Sequence, residues 1–337
     1  VIASYRVTRA TRTSTIGVAL VALALAALAV APYWAGREGM RLLIEAFVYL
    51  VLASVWNLLA GYAGLVSIGQ QAFVGLGGYV LFALANLGGV PPLLCIPIAG
   101  LAAAIVAVPV AAITFRLRGA YFAIGSWVMA EVFRLVASQI SILGGGSGTS
   151  LPAAIVIGMA PTRQAREFLV YWVALGLLVV ILGLIIALLR SRYGLALTAL
   201  RDNEVAARSN GIDVQRTKLV VFIVAAACTA MAGALIFLQR VRITPDAAFS
   251  VNDWTALVIF ITVIGGIGRF EGPFVGVVVF FALRETLSDL GSIYLMILGA
   301  IAILVMLKAP RGLWGFLAER TDAQVLPLQR RVRADNA

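Results

Sequence analysis

The 337-residue sequence contains no histidine, only two cysteines, and charged residues at just 12% of the total. Without histidine, His-based metal sites and Ser–His catalytic arrangements fall away together, and an H-E-x-x-H zinc motif is impossible. Cys95 and Cys228 each lie in an apolar run and read as small buried hydrophobes. Neither a disulfide framework nor a zinc site can be built from them. No G-x-x-x-x-G-K-[ST] occurs, so the chain has no P-loop of its own for ATP. Nor is there an adjacent Gly–Asp pair of the kind found in intramembrane aspartyl proteases. No catalytic residue, metal or cofactor is expected, and the chain is not read as an enzyme. Any energy source comes from an ion gradient or a separate subunit.

What is present is apolar residue in long runs: 62% of the chain is hydrophobic and mean hydropathy is +1.03. A soluble domain carries about 25% charged residues. A helix needs roughly 20 apolar residues to cross a hydrocarbon layer of about 30 Å. Spans are predicted at 16–34, 42–60, 73–87, 93–115, 121–138, 168–189, 219–238, 254–268, 274–287 and 294–307. The expected fold is an all-α polytopic membrane protein, a bundle of about ten (eight to ten) transmembrane helices. The first run follows a short basic head, as a signal peptide does. It reaches nearly full spanning length, so retention is expected.

The net charge of +11 reads as a topology signal. With ten crossings and an inside N-terminus, eighteen of the 26 Lys and Arg fall on one side. These are Arg6, Arg9, Arg12, Arg116, Arg118, six residues from Arg190 to Lys218, Arg269, and the basic residues from Lys308 onward. Only Arg37, Arg41, Arg163, Arg166, Arg240 and Arg242 fall on the other side, with Arg134 and Arg284 inside spans. That bias follows the positive-inside rule. It predicts cytoplasmic termini, contact with anionic membrane lipids, and no nucleic-acid partner. A cytoplasmic arm over 1–15, a transmembrane domain over 16–308 and a cytoplasmic basic tail over 309–337 are expected.

Two stretches depart from plain apolar helix. Residues 61–79 hold six glycines, two glutamines and Ser67. Glycine permits close backbone approach and also breaks helices. Broken backbone at membrane depth is tolerated where it is buried in protein or lines a wet cavity. Gly64, Ser67, Gly69, Gln70, Gln71, Phe73, Gly75, Gly77 and Tyr79 are therefore candidates to line a solute pathway. Tight helix packing, with the glutamines bridging helices, is the alternative. The second stretch, 265–276, contains Gly265, Gly266, Gly268, Gly272 and Pro273 and reads as a tight structural turn. Gly272-Pro273 starts the next helix there. The run 144–149 reads as a flexible outside loop. Glu131 and Arg134 stand three apart on one helix and are expected to pair.

The connection 191–216 is the long inside loop. Asp202-Asn203 can cap a helix beginning at Glu204, and Gly211 can end it. Two short helices result, with Leu195, Leu197, Leu200, Val205 and Ile212 as apolar points. Helices this short are marginal alone in water and need a partner surface.

Glu204-Val-Ala-Ala followed by Asn210-Gly211-Ile212 closely resembles the cytoplasmic "EAA" loop of ABC importer permeases. Leu58-Leu-Ala-Gly-Tyr62 running into 67–73 and 75–79 looks like the segment shared by branched-chain amino-acid permeases. Arg118-Gly-Ala-Tyr-Phe-Ala-Ile124, Glu131-Val-Phe-Arg134, the 265–273 turn and Ser191-Arg-Tyr-Gly-Leu195 match in order. The resemblance covers roughly 40–320 and points to the LivM type of permease subunit. Gln71, where the family usually carries alanine, and Val205, which interrupts E-A-A, depart from it.

The resemblance implies an ABC importer type II-like membrane domain in the bacterial inner membrane. It also implies a second homologous permease subunit, two cytoplasmic ABC ATPases and an extracytoplasmic solute-binding protein. Arg201, Asp202, Asn203, Glu204, Ala206, Ala207, Asn210, Gly211 and Ile212 would form the helix that docks on the ATPase. The implied solutes are branched-chain amino acids, with urea, short amides and small aromatic acids as alternatives. A gradient-driven carrier would need a midplane carboxylate, for which Glu131 is the candidate. A channel built on Gly-rich backbone would not need the 191–216 loop.

Overall fold

The computed structural model describes residues 5–8, 12–287, 293–309, 312–321 and 331–334. The chain is helical almost throughout. It begins with α1 (Arg12–Val30) and α2 (Gly36–Asn57), which passes into a π-helical turn at Leu58–Tyr62. Next come α3 (Gln70–Gly88), α4 (Pro92–Thr114), α5 (Ala120–Gln139), the short α6 (Ala153–Met159) and α7 (Arg163–Arg190). Two more short helices, α8 (Arg192–Asp202) and α9 (Glu204–Ser209), lead into α10 (Val214–Arg240). The chain continues through α11 (Pro245–Ala248), a second π turn at Asn252–Ala256, α12 (Leu257–Gly265), α13 (Gly272–Leu287), α14 (Ile293–Lys308) and α15 (Gly312–Thr321).

Eight helical stretches are long and apolar enough to cross a membrane, the last of them Met296–Phe316. The predicted first and ninth spans fall short of that length among the described residues. The apolar part of the first is Ala19–Tyr33, and α13 has 16 residues, a rise of about 24 Å. The helix there begins at Gly272, two residues before the predicted span, where the glycine hairpin ends.

The helices alternate in direction. The ends at 31–44, 139–170 and 238–245 gather at one end of the bundle, where β2 (Thr149–Ser150) pairs antiparallel with β3 (Arg242–Ile243). The ends at 58–62, 190–214 and 265–272 gather at the other, as the approach of Gly61 and Arg201 to Gly268 requires. The four-residue strands β1 (Tyr5–Thr8) and β4 (Arg331–Ala334) also pair antiparallel. Helix α10 is the centre of the core: it packs on α2, α3 and α4 and is itself largely buried. Its small residues make this possible. A Cβ on Gly233 would strike the Val74 backbone of α3, and one on Gly77 would strike the carbonyl of Ala230.

Two expectations change. The 144–149 run is ordered: two 3-10 turns (Ser141–Leu143 and Gly145–Ser147) fold it so that Gly148 packs on Ile243 and Thr244. Pairing with a strand nearly a hundred residues away, not local chemistry, fixes that loop. The segment expected as a basic tail contains α15, whose Gly312 abuts Gly266. Arg284 pairs with Glu45 at 2.9 Å. The side chains of Arg6, Arg12, Arg320, Arg331 and Arg333, and the whole of Arg9, Arg311 and Arg330, lie outside the described residues. Cys95 and Cys228 are free and buried.

Candidate functional site

Helix α2 ends in the π turn, and the backbone then runs without helical structure from Ala63 to Gly69 before α3 begins. The segment doubles back into the bundle. The Gln70 side chain, at the first position of α3, donates to the carbonyl of Leu52 at 3.0 Å, more than one helical turn back from the end of α2. Helix α3 therefore begins among its neighbours, and its orphan N–H groups (four start every helix) have to find partners there. The Gln71 N–H donates to Thr255 Oγ1 at 3.4 Å, and the Ala72 N–H donates to the carbonyl of Gly69 at 3.1 Å. Just upstream, Ile68 N–H donates to Ser126 Oγ at 2.9 Å and Gly69 N–H to Ser67 Oγ at 3.2 Å. Trp56 Nε1 fixes the Ser67 carbonyl at 2.8 Å.

The nine pathway candidates divide into two groups. Gly69 lies against the Ser126 carbonyl, Gly75 against the Phe249 ring and Gly77 against Ala230, so these three serve close packing. Phe73 points into an aromatic cluster with Phe222, ring centroids 5.7 Å apart. The others carry polar or open character. Gly64 is exposed at φ +68°, with open space where a Cβ would be. Gln70 Oε1, Gln71 Nε2 and Tyr79 Oη are buried with no hydrogen-bond partner among the described residues. Such orphans are uncommon in packed protein. Gln71 Oε1 is engaged by the hydroxyl of Thr255, and the Tyr79 ring stacks on Phe249 with centroids 5.8 Å apart.

Asn57, the last residue of α2, ties this break to the second glycine stretch. Its Nδ2 donates to the carbonyl of Arg269 at 2.8 Å, and its Oδ1 accepts from the Gly268 N–H at 2.7 Å. Gly61 packs on the same backbone: a Cβ there would lie 2.7 Å from Gly268 Cα. Positive φ at Gly266 (+127°) and Gly268 (+77°) makes this turn a place for glycine. Gly265 abuts the Gly272 carbonyl and Gly276 the Ile261 carbonyl, and Pro273 sits in the first turn of α13. The 265–273 residues thus form a backbone-to-backbone hairpin. Sequence reasoning missed Asn57. An asparagine closing a long apolar run was the available signal.

The connection from α7 to α10 lies under this junction. The side chain of Asn203 caps α9, accepting from Val205 N–H at 2.9 Å and Ala206 N–H at 3.1 Å. The side chain of Asp202 lies outside the described residues. Gly211, at φ +79°, ends the turn, with Ile212 N–H donating to the Ala207 carbonyl at 3.1 Å. Asn210 Nδ2 donates to the Ala206 carbonyl at 2.9 Å. Leu200, Ala207 and Val214 form a small separate core, with Ile212 packed against it. Leu197 is buried, whereas Leu195 and Val205 are exposed, Val205 by 74%. Glu204 accepts from Arg208 at 3.1 Å and from Lys218 at 2.8 Å. The Lys218 hydrogen bond holds its carboxyl below the ordinary carboxylate pKa, against the opposing effect of partial burial. The charges of Lys218, Arg208 and Arg118 act with the hydrogen bond. At the end of α8, a Cβ on Gly268 would sit 3.4 Å from Arg201 Nη1. Loop, hairpin and helix break are therefore in one chain of contacts.

Glu131 and Arg134 pair as expected, the guanidinium donating at 2.8 Å and 2.5 Å to one carboxylate oxygen. Asp246 of α11 joins them at 2.8 Å, a partner not visible in the local spacing. This cluster is on α5, the least buried of the long helices before Met296.

The family described as branched-chain amino acid transport system / permease component matches residues 40–306. The chain belongs to that family. Permease LivM of the high-affinity branched-chain amino acid transport system of Escherichia coli is 31% identical over 323 residues, covering 89% of this chain and 76% of that protein. A probable branched-chain amino acid transport permease LivM of Methanocaldococcus jannaschii is 26% identical over 274 residues, 71% of this chain and 78% of its own length. The ribose import permease RbsC of Haemophilus influenzae is 33% identical over 116 residues, 33% of this chain and 36% of its own. No solved structure gave a significant match. Within this family of multi-pass permeases, the matched region takes in the helix break, the loop and the glycine hairpin.

Proposed function

We propose that this chain is the membrane-spanning subunit of an ABC importer for branched-chain amino acids, with ATP hydrolysed on partner chains. The contact series from the α8–α9 loop through Arg201, Gly268 and Asn57 to the helix break carries this reading. ATPase subunits docked on α9 would use Val205 and Leu195, apolar side chains left in the open. Their approach on binding ATP would displace α8 and α9 as a unit, since one small core joins them. The hairpin and the π turn would follow. A π turn next to non-helical backbone is a suitable point of bending, and the unpartnered atoms of Gln70, Gln71 and Tyr79 would meet water or solute as it opens. The outcome is a two-state pathway biased by a ligand on another chain.

We infer that the end bearing the α8–α9 loop, together with the termini, faces the cytoplasm at a bacterial inner membrane, a reading supported by the distribution of arginine in the sequence. A second permease is assigned to the α5 face. Glu131, Arg134 and Asp246 are partly open there beside exposed Trp127, Val128 and Val132. An extracytoplasmic receptor would deliver the solute.

Deletion of 204–212, or Gly211→Asp, is expected to abolish ATP-dependent uptake in proteoliposomes holding all subunits while the protein still inserts. Retained ATP-dependent uptake would overturn the coupling assignment. Glu131→Gln separates the ion-coupled alternative: uptake that loses its pH dependence, with no ATPase coupling, would replace the ABC reading.

A further inference from the structure

The end of the bundle away from the α8–α9 loop carries few basic residues, yet they are not scattered. Of the six arginines there, five line one cavity: Arg37 and Arg41 on the first turns of α2, Arg163 and Arg166 on the first turn of α7, and Arg240 at the end of α10. The cavity measures about 750 Å³. Two carboxylates share it. Glu167 accepts from Arg37 at 3.2 Å and Arg163 at 3.2 Å, and Glu38 has no basic partner among the described residues. Arg41 likewise has no acidic partner there, so with five arginines and two glutamates the lining keeps an excess of three positive charges. Below the charges the lining turns apolar, with Met40, Ile44, Val170 and Leu238.

We infer that this cavity binds the phosphate headgroup of an anionic glycerophospholipid, with the glycerol and upper acyl carbons against the apolar floor. Depth supports a lipid. The cavity sits at the ends of three membrane-crossing helices, and exposed Tyr33 and Trp34, adjoining α2, mark the interfacial belt. Chemistry supports phosphate. The guanidinium fork matches phosphate oxygens in bidentate fashion, and a zwitterionic solute would leave the excess positive charge unbalanced. Position argues against the positive-inside rule as the cause, because these arginines are on the side that the rule depletes. Filling the cavity would bridge α2, α7 and α10, so the lipid would brace the outer end of the helix that carries the break.

The test uses the purified full chain in nanodiscs of phosphatidylcholine alone or with phosphatidylglycerol, read by native mass spectrometry of retained lipid and by thermal unfolding. Wild type is expected to retain phosphatidylglycerol and to melt higher in its presence. In Arg41→Gln/Arg166→Gln, affinity should fall roughly thirtyfold. Arg41→Lys/Arg166→Lys keeps both charges but not the fork, so it should fall between wild type and the glutamine variant, and it guards against a folding failure of the first variant. Arg116→Gln/Arg118→Gln, at the other end, should leave retention unchanged. Soluble glycerol phosphate should not displace the lipid. Equal retention in wild type and the glutamine variant would overturn the proposal. So would displacement by glycerol phosphate, which would mark a site for a free anion. Unchanged lipid retention with weakened docking of the solute receptor would overturn it too, by assigning the cavity to a protein partner.

Discussion

The two glycine-rich stretches, 61–79 and 265–276, look alike in sequence but are used in opposite ways. In the second, glycine removes side chains so that backbones touch: Gly265 meets Gly272, Gly276 meets Ile261, and Gly312 of α15 closes on Gly266. In the first, only part of the glycine does this. Gly77 and Gly75 pack, but Gly64 stands in open space, and the neighbouring Gln70, Gln71 and Tyr79 keep polar atoms without partners. One stretch is a fixed hairpin and the other a packed helix joined to an open break. The difference teaches that glycine content alone does not distinguish a hinge from a clasp. What distinguishes them is whether the space opposite each glycine is filled.

That contrast can be broken in graded ways. The largest effect is expected from Gly77→Leu, where a side chain would have to displace the α10 backbone at Ala230. Overpacking of this kind costs roughly 1–3 kcal/mol or more, and thermal unfolding in detergent should show severe destabilisation. Next is Asn57→Ala, which removes both hydrogen bonds between the break and the hairpin. Leaving a buried N–H and a carbonyl unpaired costs about 2–3 kcal/mol. Uptake should suffer more than stability, because the link is lost while each stretch remains folded. Gly64→Ala meets no atom but must hold φ at +68°, a strain of about 1–2 kcal/mol. Insertion should be normal and the unfolding temperature slightly lower.

The smallest effect is expected at Glu204→Gln, since an exposed ion pair contributes about 0–1 kcal/mol. Its pH dependence has a definite sign. A carboxyl whose pKa is depressed in the fold lends stability above its ordinary value, and that stability is lost as pH falls through the depressed one. The protection of α9 amides, taken relative to the intrinsic exchange rate (which itself slows in acid), should therefore fall as pH drops in the wild type. The variant should follow the intrinsic trend alone.

Much of this was legible before any coordinates. Long apolar runs mark helices because the backbone must satisfy itself in a membrane, and the Asn203 cap and Gly211 stop are local chemistry read within a few residues. What escaped is long-range. Asn57 and Gly268 are 211 positions apart, and neither residue type announces the other. Asp246 reaches Arg134 across 112 positions, and Gly148 is ordered by a distant strand.

The central claim is that movement of the α8–α9 loop reaches the helix break through Asn57 and Gly268. Spin labels at Thr198 of α8 and at Val66, both exposed, report on the two ends of that path in the full assembly. Addition of ATP should change the distance between them in the wild type. In Asn57→Ala, motion at Thr198 relative to the partner ATPase should persist while the break stays still. A Val66 response to ATP unchanged by Asn57→Ala, in folded protein, would contradict the account.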